Sequence, residues 1–164
     1  MIEQLVQVAG HVGEALKGRG QTIAVADGAT GGLISAGLLS VPGATAYYVG
    51  GGVIYSLKGR DILLDLDKAE LTGMRSVTEP YALLQARAIR DRFGSDWGIA
   101  ETGSAGPAIH PARINAGISC IAVAGPGIAI ASTIETGSTD RVANMQAFAL
   151  AALRLLNDVL IEAP

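Results

Sequence analysis

The feature that most constrains the fold is a glycine-rich turn, residues 26–32, that joins two apolar segments. The preceding run, residues 22–26, is β-branched and apolar, which is typical of a buried strand. Gly28, Gly31 and Gly32 mark the turn, and residues 33–39 have the composition of a helix. Such a turn directs backbone N–H groups and the positive end of a helix dipole to one place. We therefore expect an anionic group, above all a phosphate, to bind there.

The turn does not match the two best-known phosphate-binding motifs. No Gly-Lys-Ser/Thr follows it, so it is not a Walker loop. Its glycines also lack the Gly-x-Gly-x-x-Gly spacing of the dinucleotide fingerprint. Many α/β domains contain a strand, a glycine turn and a helix without binding anything, so a purely structural turn remains the alternative.

The composition indicates a folded domain with an unusually apolar interior. A chain of 164 residues suits a single domain, 1–164, and 49% hydrophobic against 16% charged residues excludes a disordered chain. The mean hydropathy is +0.39, yet no apolar run approaches the ~20 residues of a membrane span. We expect a homo-oligomer, by default a C2 dimer. A monomer whose sheet is covered on both faces is the alternative.

Charge and reactive residues narrow the possible partners. The net charge is −3 and no Lys/Arg cluster occurs, so we expect no nucleic-acid partner and no membrane. Cys120 lies in an apolar run and is predicted to act as a small buried hydrophobe. The two histidines, His11 and His110, lack metal-ligand spacing, so we expect neither a metal nor a cofactor. The N-terminus has no signal-peptide pattern, which favours a cytoplasmic location.

The order of the remaining segments predicts a three-layer α/β/α domain with a mixed sheet. Helices are expected at 5–16, 33–42, 56–66, 76–93 and 140–161, and strands at 22–26, 46–55, 97–100, 118–124 and 128–134. The third of these helices is predicted to turn Ile62, Leu63 and Leu66 inward. The triple glycine at 50–52 indicates a bulge or the close approach of another backbone or of a ligand. Residues 27–32 and the predicted loop 101–107 follow strands, so both are expected to line one crevice.

Five short motifs occur in a fixed order: Ala-Asp-Gly-Ala-Thr-Gly-Gly (26–32), Pro-Gly before Tyr-Tyr (42–48), Val-Ile-Tyr-Ser (53–56), Val-Thr-Glu-Pro (77–80) and Thr-Gly-Ser-Ala-Gly-Pro (102–107). Together they resemble the CinA C-terminal domain family over nearly the whole chain. The resemblance implies an α/β/α domain that binds a nucleotide-like ligand. It also implies hydrolysis of a carboxamide, as in nicotinamide-nucleotide amidohydrolases.

The chain departs from that family where the resemblance implies catalysis. The family's serine nucleophile corresponds to Gly28, its neighbouring cysteine to Ala29, and its lysine base to Arg60. Glycine has no hydroxyl and arginine stays protonated, so the serine mechanism cannot operate here as written.

Two further departures concern the ligand. Residues 108–117 replace a Gly-rich, Lys-Pro-Val-Gly-like stretch of the family. Asp140-Arg141 corresponds to its Asp-Arg pair, but a second family arginine becomes Asn144. A substrate other than nicotinamide mononucleotide is therefore plausible.

Several side chains can replace the missing serine. The catalytic candidates are Asp27, Glu101, Thr30, Ser104 and Tyr55. A carboxylate in an apolar pocket has a raised pKa and can activate water as a general base. An ion pair of Glu101 with Arg60 or Arg113 is the structural alternative, and so is an N-cap role for Thr30. The expected ligand-binding residues are Gly28, Ala29, Gly31, Gly32, Arg60, Thr102, Gly103, Ala105, Gly106, His110 and Arg113.

Three functions remain open at this point. The first is hydrolysis of an amide or cyclic amide C–N bond in a small molecule by carboxylate-activated water. The second is the nicotinamide-nucleotide amidohydrolase activity implied by the resemblance, by a serine-free route. The third is a non-catalytic relative that binds a small-molecule ligand and regulates a partner.

Overall fold

A computed structural model describes residues 2–164 and contains one five-stranded mixed sheet in the order β2-β1-β3-β4-β5. The strands are β1 (Ile23–Asp27), β2 (Tyr48–Val53), β3 (Trp97–Ser104), β4 (Ile118–Gly125) and β5 (Ile128–Glu135). β1 runs parallel to β2 and β3, whereas β3–β4 and β4–β5 are antiparallel. The predicted mixed sheet and its late hairpin are confirmed.

Helices cover both faces of this sheet. They are α1 (Ile2–Arg19), α2 (Leu33–Leu39), α3 (Leu57–Leu64), α4 (Lys68–Leu71), α5 (Glu79–Phe93) and α6 (Arg141–Glu162). One core lies between the sheet and α1, α2 and α6, with Ile99 and Val123 from the strands. A second, alanine-rich core lies between the sheet and α5, with Ala100 and Ala122. The predicted three-layer α/β/α fold is confirmed.

The triple glycine lies inside β2 and permits close packing. A Cβ at Gly50 would collide with the ring of Phe93, and one at Gly51 would collide with the backbone oxygen of Val25. The pairing of β1 with β2 also shifts register between Ile23 and Ala24. The close approach of another backbone, one of the predicted alternatives, is found at Gly51, and the register shift lies just before the three glycines.

The short helix α3 does not face the core as predicted. Ile62 and Leu63 are 63% and 40% exposed, whereas Leu64 is buried. α3 contacts α5, and only Leu64 of its leucines is buried. Leu66, just after the helix, is partly buried and packs against the same core, as predicted. The homo-oligomer expected from composition stays a prediction.

The observed β3 is longer than the predicted strand, and the difference changes the conformation expected for residues 101–104 of the site. Residues 101–104 were expected in a loop, but they continue β3 to Ser104. Antiparallel pairing with β4, including Glu101 with Ile121 and Thr102 with Cys120, extends the strand. Among residues 2–164, no helix is long and apolar enough to cross a membrane.

Candidate functional site

A cavity of about 270 Å³ lies beyond the carboxyl ends of β1 and β3. Its wall combines the turn after β1, the segment after β2, one side of α5, the end of β3 with the following loop, and the start of α6. Both glycine-containing segments therefore line one crevice, as the sequence predicts. The predicted site residues that line it are Gly28, Ala29, Tyr55, Thr102, Gly103, Ser104, Ala105, Gly106 and His110.

Asp27 does not line the cavity, because it caps α2. Its carboxylate is fully buried and accepts hydrogen bonds from the backbone N–H groups of Ile34 (3.0 Å) and Ser35 (3.2 Å). The hydroxyls of Thr30 (2.6 Å) and Ser35 (2.7 Å) donate to it as well. Gly32 holds the N-cap position without a side-chain bond, so Asp27 performs that function from the preceding strand.

This capping corrects the expectation of an open phosphate site at the glycine turn. The chain places its own anion, Asp27, at the positive end of α2. The N–H groups of Gly31 and Leu33 donate to carbonyls of the turn, and that of Thr30 donates to Glu101. The N–H donors at residues 30, 31 and 33–35 that a phosphate would need are already engaged.

Glu101 is also sealed away from the cavity. Alternate residues of a strand face opposite sides, so Glu101 lies on the same face as Ile99, toward α2 and α6. Its Oε1 accepts from the Ser119 hydroxyl (2.6 Å) and its Oε2 from the Thr30 N–H (3.0 Å). Burial raises the pKa of Glu101 to about 7, against the hydrogen bonds from Ser119 and Thr30 that lower it.

The two arginines proposed as partners of Glu101 lie elsewhere, so that interpretation is wrong. Arg60 on α3 pairs with Asp61 at 2.9 Å. Burial acts to lower the pKa of Arg60, but its hydrogen bonds to Tyr81 and Asp61 raise it overall. Arg113 is exposed in the loop before β4. Neither arginine lines the cavity.

Thr30, Gly31 and Gly32 serve the turn rather than the cavity. Thr30 is fully buried and its hydroxyl is committed to Asp27, so it offers no free nucleophile and is not the N-cap. Gly31 and Gly32 both have positive φ, at 64° and 101°, which glycine adopts without strain. The conformation of the turn therefore accounts for these three residues, and no ligand is needed to explain them.

Gly28 lies where the cavity wall and β3 meet. A Cβ built at Gly28 would collide with the backbone oxygen of Glu101 and lie 3.1 Å from its Oε2. The Cβ direction therefore points into the sheet and toward β3. A side chain at residue 28 has no room while the backbone keeps this position.

The hydroxyl groups in the cavity have no adjacent base. Ser104 Oγ donates to the carbonyl of Ile114 across a long 3.4 Å, and Thr102 Oγ1 accepts from the N–H of Val77 at 3.2 Å. Tyr55 is 72% exposed at the rim. Within residues 2–164, no Asp, Glu or Lys side chain lines this cavity. None of these hydroxyls is activated as a nucleophile usually is.

His110 is a hydrogen-bond donor in this geometry. Its Nδ1 accepts the N–H of Ala112 at 3.0 Å, and partial burial lowers its pKa. The lowered pKa favours the neutral imidazole, and because Nδ1 accepts, the proton of that neutral form belongs on Nε2. A ring with this protonation donates to a ligand and does not remove a proton from one.

Arg141 and Gln85 line the cavity but were not among the predicted site residues. Arg141, the first residue of α6, donates to the Gly106 carbonyl (2.6 Å) and to the Tyr55 hydroxyl (3.0 Å). It makes no ion pair with any described residue. Gln85 is 2% exposed, and an amide on the apolar face of a helix was the signal that could have found it.

The side chains that could ligate a metal ion are dispersed over the described part of the chain. Across residues 2–164, no group of three or more His, Cys, Asp or Glu side chains is placed to hold a metal ion. Cys120 is a free, buried thiol in β4, as predicted, and His11 is exposed on α1.

The sequence profile of the CinA C-terminal domain family matches residues 5–160. The chain belongs to the CinA C-terminal domain family. A CinA-like protein of Gloeobacter violaceus is 39% identical over 119 residues, which are 73% of this chain and 28% of that protein. One of Chloroherpeton thalassium is 36% identical over 158 residues, 92% of this chain and 36% of the relative. The chain thus spans about a third of the length of these curated relatives.

Solved structures of the CinA superfamily have the same fold. The competence damage-inducible protein A (ComA) from Klebsiella pneumoniae superimposes with a TM-score of 0.89 at 24% identity, covering 98% of this chain and 99% of that one. The competence/damage inducible protein CihA from Agrobacterium tumefaciens gives 0.88 at 24%, covering 97% and 96%. At this identity, the likeness establishes the CinA fold and leaves the chemistry to the site.

Asn144, which stands where the resemblance places a second CinA arginine, has a structural role. It is 1% exposed, and its Nδ2 donates to the carbonyls of Ala105 (3.0 Å) and Ser138 (2.9 Å). Its Oδ1 accepts from the hydroxyl of Thr136 at 2.6 Å. Asn144 therefore holds the loop after β3 in place and contributes no charge to the cavity.

Proposed function

We propose that this protein binds a small anionic molecule in the cavity and does not hydrolyse it. The observation that carries the proposal is the separation of charges by the sheet. The cavity holds His110 and Arg141, which has no ion-pair partner among residues 2–164, whereas Asp27 and Glu101 are buried on the opposite face. An acceptor-rich, negatively charged ligand matches this wall, and a cavity of about 270 Å³ suits a small one.

The absence of a catalytic pair within residues 2–164 supports the same proposal. The hydroxyls of Ser104 and Thr102 bond to backbone groups, and the Nδ1 of His110 is occupied by the N–H of Ala112. At Gly28, the position of the family's serine, the Cβ direction leads into β3. The serine route implied by the resemblance thus lacks both its nucleophile and the space for it.

A second candidate function is hydrolysis of an amide or cyclic amide by carboxylate-activated water. One observation favours it: the pKa of Glu101, about 7, is well matched to a general base. Both Glu101 oxygens are engaged, so water would reach them only after the turn at residues 28–30 opens. This requirement makes hydrolysis the second candidate rather than the first.

Thermal-shift binding and ammonia release, measured together, separate these candidates. The probes are nicotinamide mononucleotide and a panel of small carboxylates and phosphates. We expect at least one anion to stabilise the protein and Arg141→Gln to lose that shift. Arg154→Gln, which removes the same charge farther along α6, should keep it. We expect no ammonia.

Two outcomes would overturn the binding proposal. If no anion stabilises the protein more than it stabilises Arg141→Gln, the cavity does not bind anions through Arg141. Ammonia release would show catalysis, and its loss in Glu101→Gln would establish the carboxylate route. Release that survives Glu101→Gln would instead support the family's nucleotide amidohydrolase activity by another route.

A further inference from the structure

The outer edge of β2 has no strand beside it and carries no charged side chain. Within residues 2–164, β1 is the only strand that pairs with β2, so the other edge of β2 is open. The strand, Tyr48–Val53, contains no charged residue and no proline, the residues that usually protect an open edge. The strand at the opposite edge of the sheet, β5, ends instead on Glu135. An unprotected edge is a template for pairing with another strand.

The hydrogen bonds between β1 and β2 identify the backbone groups that face outward. The N–H of Ile54 donates to the carbonyl of Asp27, and successive residues of a strand direct their backbone groups to alternate edges. The N–H and C=O groups of Gly51 and Val53 therefore point away from β1. No backbone group among residues 2–164 bonds to them. The free donors and acceptors of the edge thus begin at Gly51, in the middle of the exposed segment.

The sequence of this edge is the same in both directions, since residues 49–53 are Val-Gly-Gly-Gly-Val. When two such strands pair antiparallel about Gly51, each glycine lies opposite a glycine, and Val49 lies opposite Val53 of the second copy. Because Gly51 directs both its N–H and its C=O outward, the central pair exchanges two hydrogen bonds. A twofold axis requires a self-complementary surface of this kind.

Apolar side chains flank the glycines on the α5 face of the sheet. A Cβ at Gly50 would collide with the ring of Phe93, and one at Gly52 would lie 3.2 Å from Leu63 Cδ1. Phe93 and Leu63 therefore cover the two glycines within one chain. Because Gly50 of one chain lies opposite Gly52 of the other, Phe93 then approaches Leu63 of the second copy, and the symmetry repeats this contact.

The exposed apolar area around β2 matches the requirement of a small dimer interface. The exposed apolar residues are Val49, Val53, Ile62, Leu63 and Phe93. Their exposed area of roughly 400 Å² equals the apolar share of an interface that buries ~600 Å² per partner, the small end of the usual range. Among the described residues that line the groove between α3 and α5, Arg92 alone is charged, and it lies 3.8 Å from Asp65. Association therefore leaves no charge in the groove without a partner.

We propose that two copies of this chain associate through β2, paired antiparallel about Gly51, so that their two sheets become one continuous sheet. The occupant of the open edge is a second copy, because the edge is complementary to itself in both its residues and its hydrogen-bonding groups. This inference gives the homo-oligomer expected from composition a defined surface. It concerns a region outside the cavity and does not depend on the proposed ligand.

Sedimentation equilibrium of variants at the two sheet edges tests the surface. We expect the protein to have twice the mass of the 16.7 kDa chain at micromolar concentration. Val49→Lys and Ile62→Lys place a charge in the contact and should each raise the dissociation constant of the dimer by about tenfold or more. Ile130→Lys makes the same kind of change on β5, at the opposite edge, and should keep the dimer. Circular dichroism checks that all three variants are folded.

Amide hydrogen exchange followed by NMR tests the strand pairing itself. The N–H groups of Gly51 and Val53 face solvent in a monomer and are hydrogen-bonded in the proposed dimer. We expect both to exchange slowly in the dimer and about tenfold or more faster in monomeric Val49→Lys. Two chains that meet only through the apolar side chains of α3 and α5 would not show this protection.

Four results would overturn the proposal. The first is the mass of a monomer at every concentration. The second is an assembly of any size that persists in Val49→Lys or in Ile62→Lys, and the third is one that Ile130→Lys also dissociates. The fourth is fast exchange of the Gly51 amide within the dimer, which would mean that the chains associate without pairing β2.

Discussion

Near the ends of β1 and β3, the two faces of the sheet differ in how completely their buried polar groups are hydrogen-bonded. On the face toward α2 and α6, Asp27, Thr30, Glu101 and Ser119 form a buried network in which every side-chain oxygen has a partner. On the face toward α5, the cavity leaves Gln85 Oε1 unpartnered. The satisfied network stabilises the fold, whereas a buried acceptor without a donor costs free energy.

The largest expected effect comes from breaking the sealed network at Asp27. Asp27→Ala leaves two backbone N–H groups at the start of α2 and two hydroxyls without their acceptor. We expect the free energy of unfolding to fall by about 4 kcal/mol, because several buried donors lose their acceptor at about 1 to 3 kcal/mol each. Urea denaturation measures it, and Asp27→Asn, which keeps one acceptor oxygen, should lie between. A loss under 1 kcal/mol would show that the network is not a structural unit.

Glu101 should make stability depend on pH. Its folded-state pKa is about 7 against an ordinary 4.5, so between these values the folded protein binds more protons than the unfolded chain. Stability therefore falls as pH rises from about 5 to about 8, by at most about 3 kcal/mol since one pKa unit equals 1.36 kcal/mol. Denaturation across this range should give a decline in the protein that is absent from Glu101→Gln. Parallel curves for the two proteins would contradict the raised pKa.

Substitutions at Gly28 test whether a side chain at this position, between the two faces of the sheet, has room. Gly28→Ala places a Cβ against the backbone of Glu101, and we expect a cost of about 2 kcal/mol from overpacking. Gly18→Ala in α1 meets nothing within 4 Å and should be neutral or stabilising. Gly28→Ser should show the same destabilisation as Gly28→Ala and release no ammonia from nicotinamide mononucleotide. A stable, active Gly28→Ser variant would mean that a serine there reaches the cavity.

The smallest expected effect comes from substituting one polar residue on each face, Ser119 and Gln85. Ser119→Ala removes the donor to Glu101 Oε1 and should cost about 1 to 2 kcal/mol. Gln85→Met removes an acceptor that has no donor and should be neutral or stabilising by up to about 1 kcal/mol. Measured by the same denaturation, the unfolding free energy should therefore fall in Ser119→Ala and not in Gln85→Met. Equal losses would mean that both faces are equally satisfied in the free protein.

Much of the candidate site was predictable because it follows from strand order. The turn after β1 and the segment after residue 101 meet at one crevice, as the carboxyl ends of parallel neighbours must. His110 and Ser104, two of the predicted site residues, line that crevice. Gln85 was also within reach of sequence reasoning, since it lies four residues after Tyr81 on the buried side of α5. Arg141 was noted only through the family's Asp-Arg pair.

Apolar periodicity and glycine are local signals, so the main helices and strands and their order follow from the sequence. The face of the sheet that each polar side chain occupies depends on long-range strand pairing. A residue in a loop has no fixed side-chain direction. Pairing with β4 makes Glu101 a strand residue whose side chain lies on the face of Ile99. Since a strand alternates with a period of two, that long-range pairing separated the buried Glu101 from the cavity residue Thr102.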